Sequence, residues 1–540
     1  MRIDRRCKSD TSIPSNPKPP ARCFLVACTT QVLYFGTVHH QSHVALHSAL
    51  ISQNITMSDK NIVEPRLLRG FRDYLPAQMN ARLRMISTIR SVYERYGFQP
   101  LDTPALEYLV TLVGYGDENQ KQLFRFVNPE DERVALRFDL TVPLARVIAQ
   151  YPDLPLPFRR YQVAPVWRAD KPDPGRFREF IQFDLDSVGT PSLAADAEIL
   201  CGMYDTLIAL GIKRFKIRFS SRKVLNSLLE YADVAHSASH QVFRVLDKLD
   251  KIGLDDVARE LTTGRVDASG DRIPGLGLQP DQVGRIKEFL ALPAAKRGDV
   301  VKDLSALFQT VPSFPHAKEE LEELCSTLDF LAIPEEQVVL DPSIARGLDY
   351  YTGPVFEALL LDAPEFGSVF GGGRYDGLVE RFLGKSIPAV GASIGVDRLL
   401  AAIQKLGLME ATPSTAQVIV TVMDRDRMAE YQKLTREIRL AGINTELYLG
   451  EETTLGRQLQ YANRQQIPVA VIIGSNEFSR GEVTLKNLKL GGQLQDKKKN
   501  ANGKEREEWL KLSRSVQVTV ALDSCIEGIR RMLHDLNPPL

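Results

Sequence analysis

No C-x-x-C pair occurs anywhere in the 540 residues. The six cysteines, at positions 7, 23, 28, 201, 325 and 525, are scattered. That argues against a disulfide framework and against a zinc site. The eight histidines form no cluster in the motif strings described below; His236 and His240 are four apart, but in a charge-rich helical stretch they read as a surface face rather than a metal site. Net charge is missing too, with 68 Lys and Arg against 68 Asp and Glu. The chain as a whole is therefore no glove for nucleic acid, and a polyanion would have to meet a local basic face. No apolar run reaches the roughly 18 residues of a membrane span. The nearest, "CFLVACTTQVLYFG" at 23–36, is short and interrupted by Thr-Thr-Gln. It follows Arg2, Arg5, Arg6 and Lys8, so a targeting peptide is one reading of the leader. The segment lacks periodicity, and "SDKNIVEPRLLRG" after Met57 reads as an ordinary start. Residues 1–56 are therefore expected to be an unstructured leader or a mis-assigned start. There is no internal repeat and no kinase-type glycine loop.

What is present looks globular: 44% hydrophobic and 25% charged residues, long enough for roughly three domains at about 150 residues each. Met79, Leu83, Ile86, Ile89, Tyr93 and Tyr96 recur at three and four, which predicts a helix over 77–96 stopped by Gly97. "FQPLDTPALE" predicts an edge or entry strand, because its prolines cannot donate to a ladder. "VALRFDLTVPLARVIAQY" predicts a strand, then a helix after Val142. "PFRRYQVAPVWRA" and "FREFIQFDLDSVG" predict a long hairpin. Residues 222–330 read as a helical insertion with no chemical motif. Strand-like, glycine-rich sequence resumes over 331–410, and "EATPST" at 410–415 is a linker. Residues 416–540 alternate strand and helix, as in a compact α/β domain. The charged run "DKKKNANGKEREEW" reads as a solvated loop.

Three stretches concentrate polar chemistry. In the hairpin, Arg168, Asp170 and Lys171 leave one strand while Arg176, Arg178, Gln182, Asp184 and Asp186 line the other. The last three are two apart and share a face; the alternatives are a solvent-washed face or a binding site, since unpaired polar groups are costly in a dry core. In "SIARGLDYYTGPVFEALL", Arg346, Asp349, Tyr350 and Tyr351 precede a β-prone run; here the alternatives are a turn with core tyrosines or a ligand site. "GGGRYDGL" at 371–378 brings bare glycine backbone, which permits close approach. A match to all eight residues arises by chance about once in 10¹⁰ positions.

Together these strings resemble the histidyl-tRNA synthetases, a class II aminoacyl-tRNA synthetase family. "RGLDYYTG" and "GGGRYDGL" are similar to the family's two histidine motifs. "YQVAPVWRADKPDPGRFREFIQFD" is similar to class II motif 2, "GASIGVDRL" to motif 3, and the 77–103 helix and strand to the motif 1 dimer element. The resemblance runs from about Arg66 to the C-terminus. It implies an α+β fold: a class II catalytic domain on an antiparallel sheet, split into 57–221 and 331–410 by a helical insertion at 222–330, with an α/β anticodon-binding domain at 416–540. It implies a ligase that activates L-histidine with ATP and magnesium and transfers it to tRNA-His. A cytoplasmic homodimer without a structural metal is the corresponding expectation.

By the same resemblance Arg168 and Arg346 hold the α-phosphate, while Arg176 and Arg398 serve the rest of the triphosphate. Phe180 stacks on adenine. Asp139, Thr141 and Gln182 hold the α-ammonium group; Asp186 and Tyr351 bracket the imidazole, and Tyr350 and Tyr375 shape the pocket. Glycines 371–373 form its floor. The motif 2 turn departs from the family with Asp173-Pro174, where a polar or basic pair is usual. The rival reading is a non-catalytic histidine-binding paralogue, the regulatory subunit of ATP phosphoribosyltransferase, which would lack the C-terminal domain and usually the arginine at 346.

Overall fold

The helix that periodicity predicts over 77–96 is α1, Pro76–Arg95, in a computed structural model that describes residues 63–114, 121–171, 177–267, 270–292, 296–345, 350–490 and 516–536. The leader at 1–56 lies outside those residues. The chain divides into two units after Arg66; of the first, residues 63–66 are described, and they are exposed and irregular. From Leu67 onward the chain forms one unit.

The centre of that unit is an eight-stranded sheet. Its strands are β1 Gln99–Pro100, β2 Phe158–Trp167, β3 Glu179–Val188, β4 Phe215–Ser221, β5 Val338–Leu340, β6 Pro354–Leu360, β7 Ser368–Arg374 and β8 Ala389–Gly395. They lie in the order β1-β2-β3-β8-β7-β6-β4-β5. The six inner strands are antiparallel, while β1 and β5 add in parallel at the two edges. The two-residue β1 carries Pro100 at the edge, where a missing N–H costs least.

Alternation along β3 divides the sheet's faces. Phe183 and Leu185 point to one side and are fully buried with Ala81, Met85, Ile89 and Tyr93 of α1; the Tyr93 and Phe183 rings meet edge-on at 5.0 Å. Two further helices of this core are Leu193–Ala209 and Val396–Lys405. Gln182, Asp184 and Asp186 point to the opposite side.

A helix over Thr141–Gln150 packs beyond that second face. It starts two residues before the expected point. The reason is Asp139, whose carboxylate accepts the Val142 N–H at 3.2 Å and satisfies a first-turn amide that has no partner within the helix. The described residues of 222–330 form mostly helices, together with a small hairpin of Gly264–Val266 and Arg272–Pro274. Each strand is only three residues long, too short to break a charge-rich helical pattern.

The C-terminal segment builds a five-stranded sheet from β9 Val418–Val420, β10 Thr445–Leu447, β11 Val469–Ile472, β12 Glu482–Asn487 and β13 Gln517–Ala521. Its order is β10-β9-β11-β12-β13. The first three pair in parallel and the last two antiparallel, so the sheet is mixed. It has its own apolar core around Val418, Val420, Tyr431, Val471 and Ile529.

Candidate active site

Two cross-strand rungs of the central sheet bring polar residues together. One runs Gln162, Asp184, Ser393, Gly371; the other runs Arg160, Asp186, Gly391, Gly373. They underlie a cavity of about 200 Å³. Asp139, Thr141, Arg168, Gln182, Tyr350, Tyr351 and Tyr375 line it as well. Glycine has distinct uses here. A Cβ on Gly391 would come within 2.5 Å of Asp186 Cγ, whereas a Cβ on Gly371 would meet Phe356 O at an ordinary 3.6 Å. Gly391 thus makes room for the acid, and Gly371 leaves space in the cavity.

Asp184 and Asp186 are each 2% exposed, so their face is not solvent-washed. Arg160, fully buried, stands 2.9 Å from Asp186 Oδ2 and 3.7 Å from Asp184 Oδ2. It also donates to the Leu140 carbonyl at 3.1 Å and to Gln162 at 3.4 Å. With an effective dielectric near 20, the closer ion pair is worth about 6 kcal/mol of attraction. That offsets a desolvation cost of several kcal/mol per ion. One arginine does not fully compensate the acids around it. Burial pushes Asp139 up from 3.8 to about 6 and Asp184 up to about 7. Asp186 also rises through burial, with Arg160 and the hydrogen bond from Tyr375 working in the other direction.

The aromatic wall is continuous. Tyr350 and Tyr351 meet at 4.6 Å and Tyr350 and Tyr375 at 6.1 Å. Burial raises all three phenols well above their ordinary range, so they remain protonated donors. Tyr375 donates to Asp186 Oδ1.

Arg168 is anchored by its Nε–H to the Phe138 carbonyl at 3.0 Å and lies 5.2 Å from the Phe180 ring centroid. Phe180 itself packs toward Leu140, Ala164 and Val166 outside the cavity lining. Arg398 sits in the first turn after β8, where it donates to the Ser368 carbonyl at 2.8 Å; it does not line the cavity. Beside it, Asp397 accepts from Arg82 at 2.5 Å, Tyr74 at 2.6 Å and the Ile181 amide at 2.9 Å, which fixes this turn against β3. Thus Asp139, Thr141, Arg168, Gln182, Asp186, Tyr350 and Tyr351 gather at one cavity. Arg176, Arg346 and Asp173-Pro174 lie outside the described residues. Among the described residues no group of three His, Cys, Asp or Glu side chains could hold a metal ion.

Sequence reasoning gave no role to Arg160 and did not single out Ser393; it placed Asp184 on the right face without assigning it to a site. A signal for Arg160 existed. Folding the hairpin about position 173 pairs Arg160 with Asp186 and Gln162 with Asp184, so the cation opposite the acids follows from the register. Ser393 is set by a strand two hundred residues further on, which local pattern cannot align.

A family model described as histidyl-tRNA synthetase matches residues 70–399, and one described as an anticodon binding domain matches 417–510. The histidine–tRNA ligase of Paracoccus denitrificans is 44% identical over 486 residues, covering 86% of this chain and 97% of that protein. The histidine–tRNA ligase of Brucella abortus is 40% identical over 498 residues, covering 88% and 98%. Among solved structures, histidyl-tRNA synthetase from Nostoc sp. PCC 7120 superimposes with a TM-score of 0.72 at 33% identity, covering 87% of this chain and all of that one. A Bacillus halodurans chain described as an ATP phosphoribosyltransferase regulatory subunit/histidyl-tRNA synthetase shares the fold, with a TM-score of 0.60 at 24% identity.

Proposed function

This chain belongs to the histidyl-tRNA synthetase family, and from that premise we propose how its cavity performs histidine–tRNA ligation. The ligase is of the class II α+β type with a C-terminal anticodon-binding domain. Its substrates are histidine, ATP and tRNA, and the sequence match includes the anticodon-binding region that the regulatory-subunit reading lacks.

The histidine carboxylate attacks the α-phosphorus of ATP. A P–O bond forms, the bond to the β-phosphate breaks, and histidyl-adenylate and pyrophosphate result. The terminal ribose hydroxyl of tRNA-His then attacks the activated carbonyl and releases AMP. Both steps move negative charge past crowded phosphates, so fixed cations supply stabilisation where charge develops. Arg168 and Arg346 grip the α-phosphate, and Arg176 and Arg398 attend the other phosphates. Arginine suits this work because its planar fork stays charged and engages two oxygens. Magnesium enters with ATP as part of that substrate. Phe180 stacks on the adenine.

Asp139, Thr141 and Gln182 take the α-ammonium group. Asp186 and Tyr351 contact the two ring nitrogens, and Tyr350 and Tyr375 close the sides. A site built to pair both nitrogens strands its own polar groups when an analogue lacks one, which gives about 10⁴–10⁵-fold discrimination without editing. The observation that carries this reading is the cavity itself, which buried acids, three phenols and the Arg168 guanidinium line together. Homodimerisation, a cytoplasmic location and the division of the chain near 221, 330 and 410 complete the proposal.

Histidine-dependent ATP–pyrophosphate exchange tests it. Purified protein should exchange with histidine alone among the amino acids, and Arg346→Ala should abolish exchange while leaving histidine binding largely intact. No exchange by the folded wild-type protein, with histidine still bound, would favour a regulatory paralogue.

A further inference from the structure

Charge around the cavity does not balance. Asp139 borders it ahead of the helix at Thr141–Gln150, and Asp184 and Asp186 face it from β3. From β2 only Arg160 faces them with a charge, and it is already 2.9 Å from Asp186. The groups presented by the other elements are the hydroxyls of Ser393, Tyr350, Tyr351 and Tyr375, and the Arg168 guanidinium, whose charge acts on Asp139. Asp184 is 2% exposed, and its Oδ1 has no hydrogen-bond partner.

A bound amino acid adds one ammonium group, and its own carboxylate is matched by Arg168. Three carboxylates then stand against Arg160 and that ammonium, leaving one in surplus. A buried, unpaired carboxylate is costly enough that taking a proton is the cheaper response. Imidazole is the one amino-acid side chain that can share that proton near neutrality.

Resting on the reading of this cavity as the histidine pocket, we propose that histidine binds together with one proton, held between Asp184 and the imidazole ring, so that Asp184 tunes the pocket to a protonated ring. The pocket's own acids support this. Asp184 rises to about 7 and Asp139 to about 6, both through burial. Near pH 6 the pocket acids and the free ring together already hold about two protons, so binding with one retained releases about one. At pH 8 the empty pocket has lost it, and binding takes up about one proton. Histidine affinity therefore falls with rising pH above neutrality, by at most about tenfold per pH unit.

The test is calorimetric titration of histidine into the full chain at pH 6 and pH 8, each in two buffers of different ionisation enthalpy. Wild type should take up about one proton at pH 8 and release about one at pH 6, where the pocket acids and the free imidazole together already hold about two. Asp184→Asn should bind histidine with uptake at pH 8 near zero. A merely structural role would lower the folded fraction without changing the proton count per bound histidine. A flat count in wild type, or undiminished uptake in Asp184→Asn, overturns the proposal. If Asp184→Asn does not fold, the wild-type pH dependence decides alone. Exchange activity separates the two readings: active enzyme with a flat count sinks only this inference, whereas neither binding nor exchange sinks the substrate assignment beneath it.

Discussion

Replacing Gly391 by alanine tests how tightly the sheet dictates the site. The new methyl would lie 2.5 Å from Asp186 Cγ and 2.7 Å from the Leu185 carbonyl oxygen. Comfortable carbon contacts begin at about 3.5 Å, so Asp186 or its strand must yield by about 1 Å. Asp186 cannot move cheaply: Arg160 and Tyr375 hold its two oxygens, and its backbone is paired on both sides. A misplacement of about 1 Å in a substrate-positioning group costs on the order of 10²-fold in rate, or about 2.7 kcal/mol. Gly391→Ala should therefore lower histidine-dependent exchange, as kcat/KM, by about two orders of magnitude. Circular dichroism and gel filtration on the same preparation establish whether the protein is folded. Folded Gly391→Ala with exchange within about threefold of wild type would refute the reasoning, because the acid would then have tolerated a shift that the geometry denies it.

Gly371→Ala is the contrasting case. Its methyl meets only ordinary contacts, so thermal stability should stay within about 0.5 kcal/mol of wild type while KM for histidine rises through lost cavity space. Arg160→Met leaves two buried carboxylates without their cation and should cost about 3–5 kcal/mol in urea unfolding; adding Asp186→Asn should recover part of that. Asp139 gives a pH signature. Its carboxyl is raised from 3.8 to about 6 in the folded protein, so the native state binds the extra proton between those values, and stability is lost as pH rises through that window. Asp139→Asn does not titrate. From pH 4 to pH 8 its stability relative to wild type should change in its favour by up to about 3 kcal/mol, measured by denaturant titration at each pH; no change would mean that Asp139 is ionised without penalty.

The hairpin, the motif strings and the helix–strand grammar were legible because each is local. Gln182, Asp184 and Asp186 fall on one face by period alone, and α1 follows from a spacing of three and four. What the sequence could not rank was whether that face was wet or buried. That depends on β7 and β8 closing against β3, a pairing some two hundred residues away in the chain. The same non-locality concealed Ser393 and the use of Gly391. Arg160 was hidden for a different reason: an arginine beside another in "PFRRYQ" looks like a solvated pair until the register turns one of them inward. In the structure Arg159 is half-buried and pairs with Glu198, whereas Arg160 is sealed among the acids.

The two rungs beneath the cavity also have a consequence for synthesis. Their acids come from β3, but their floor and serine come from β7 and β8, on the far side of the 222–330 insertion. A nascent chain that has finished β3 exposes a strip of carboxylates beside one arginine, with no partner strand to bury it. Amino-acid recognition therefore cannot switch on gradually during translation. It arrives when Gly395 has left the ribosome and the last strand slots in between β3 and β7.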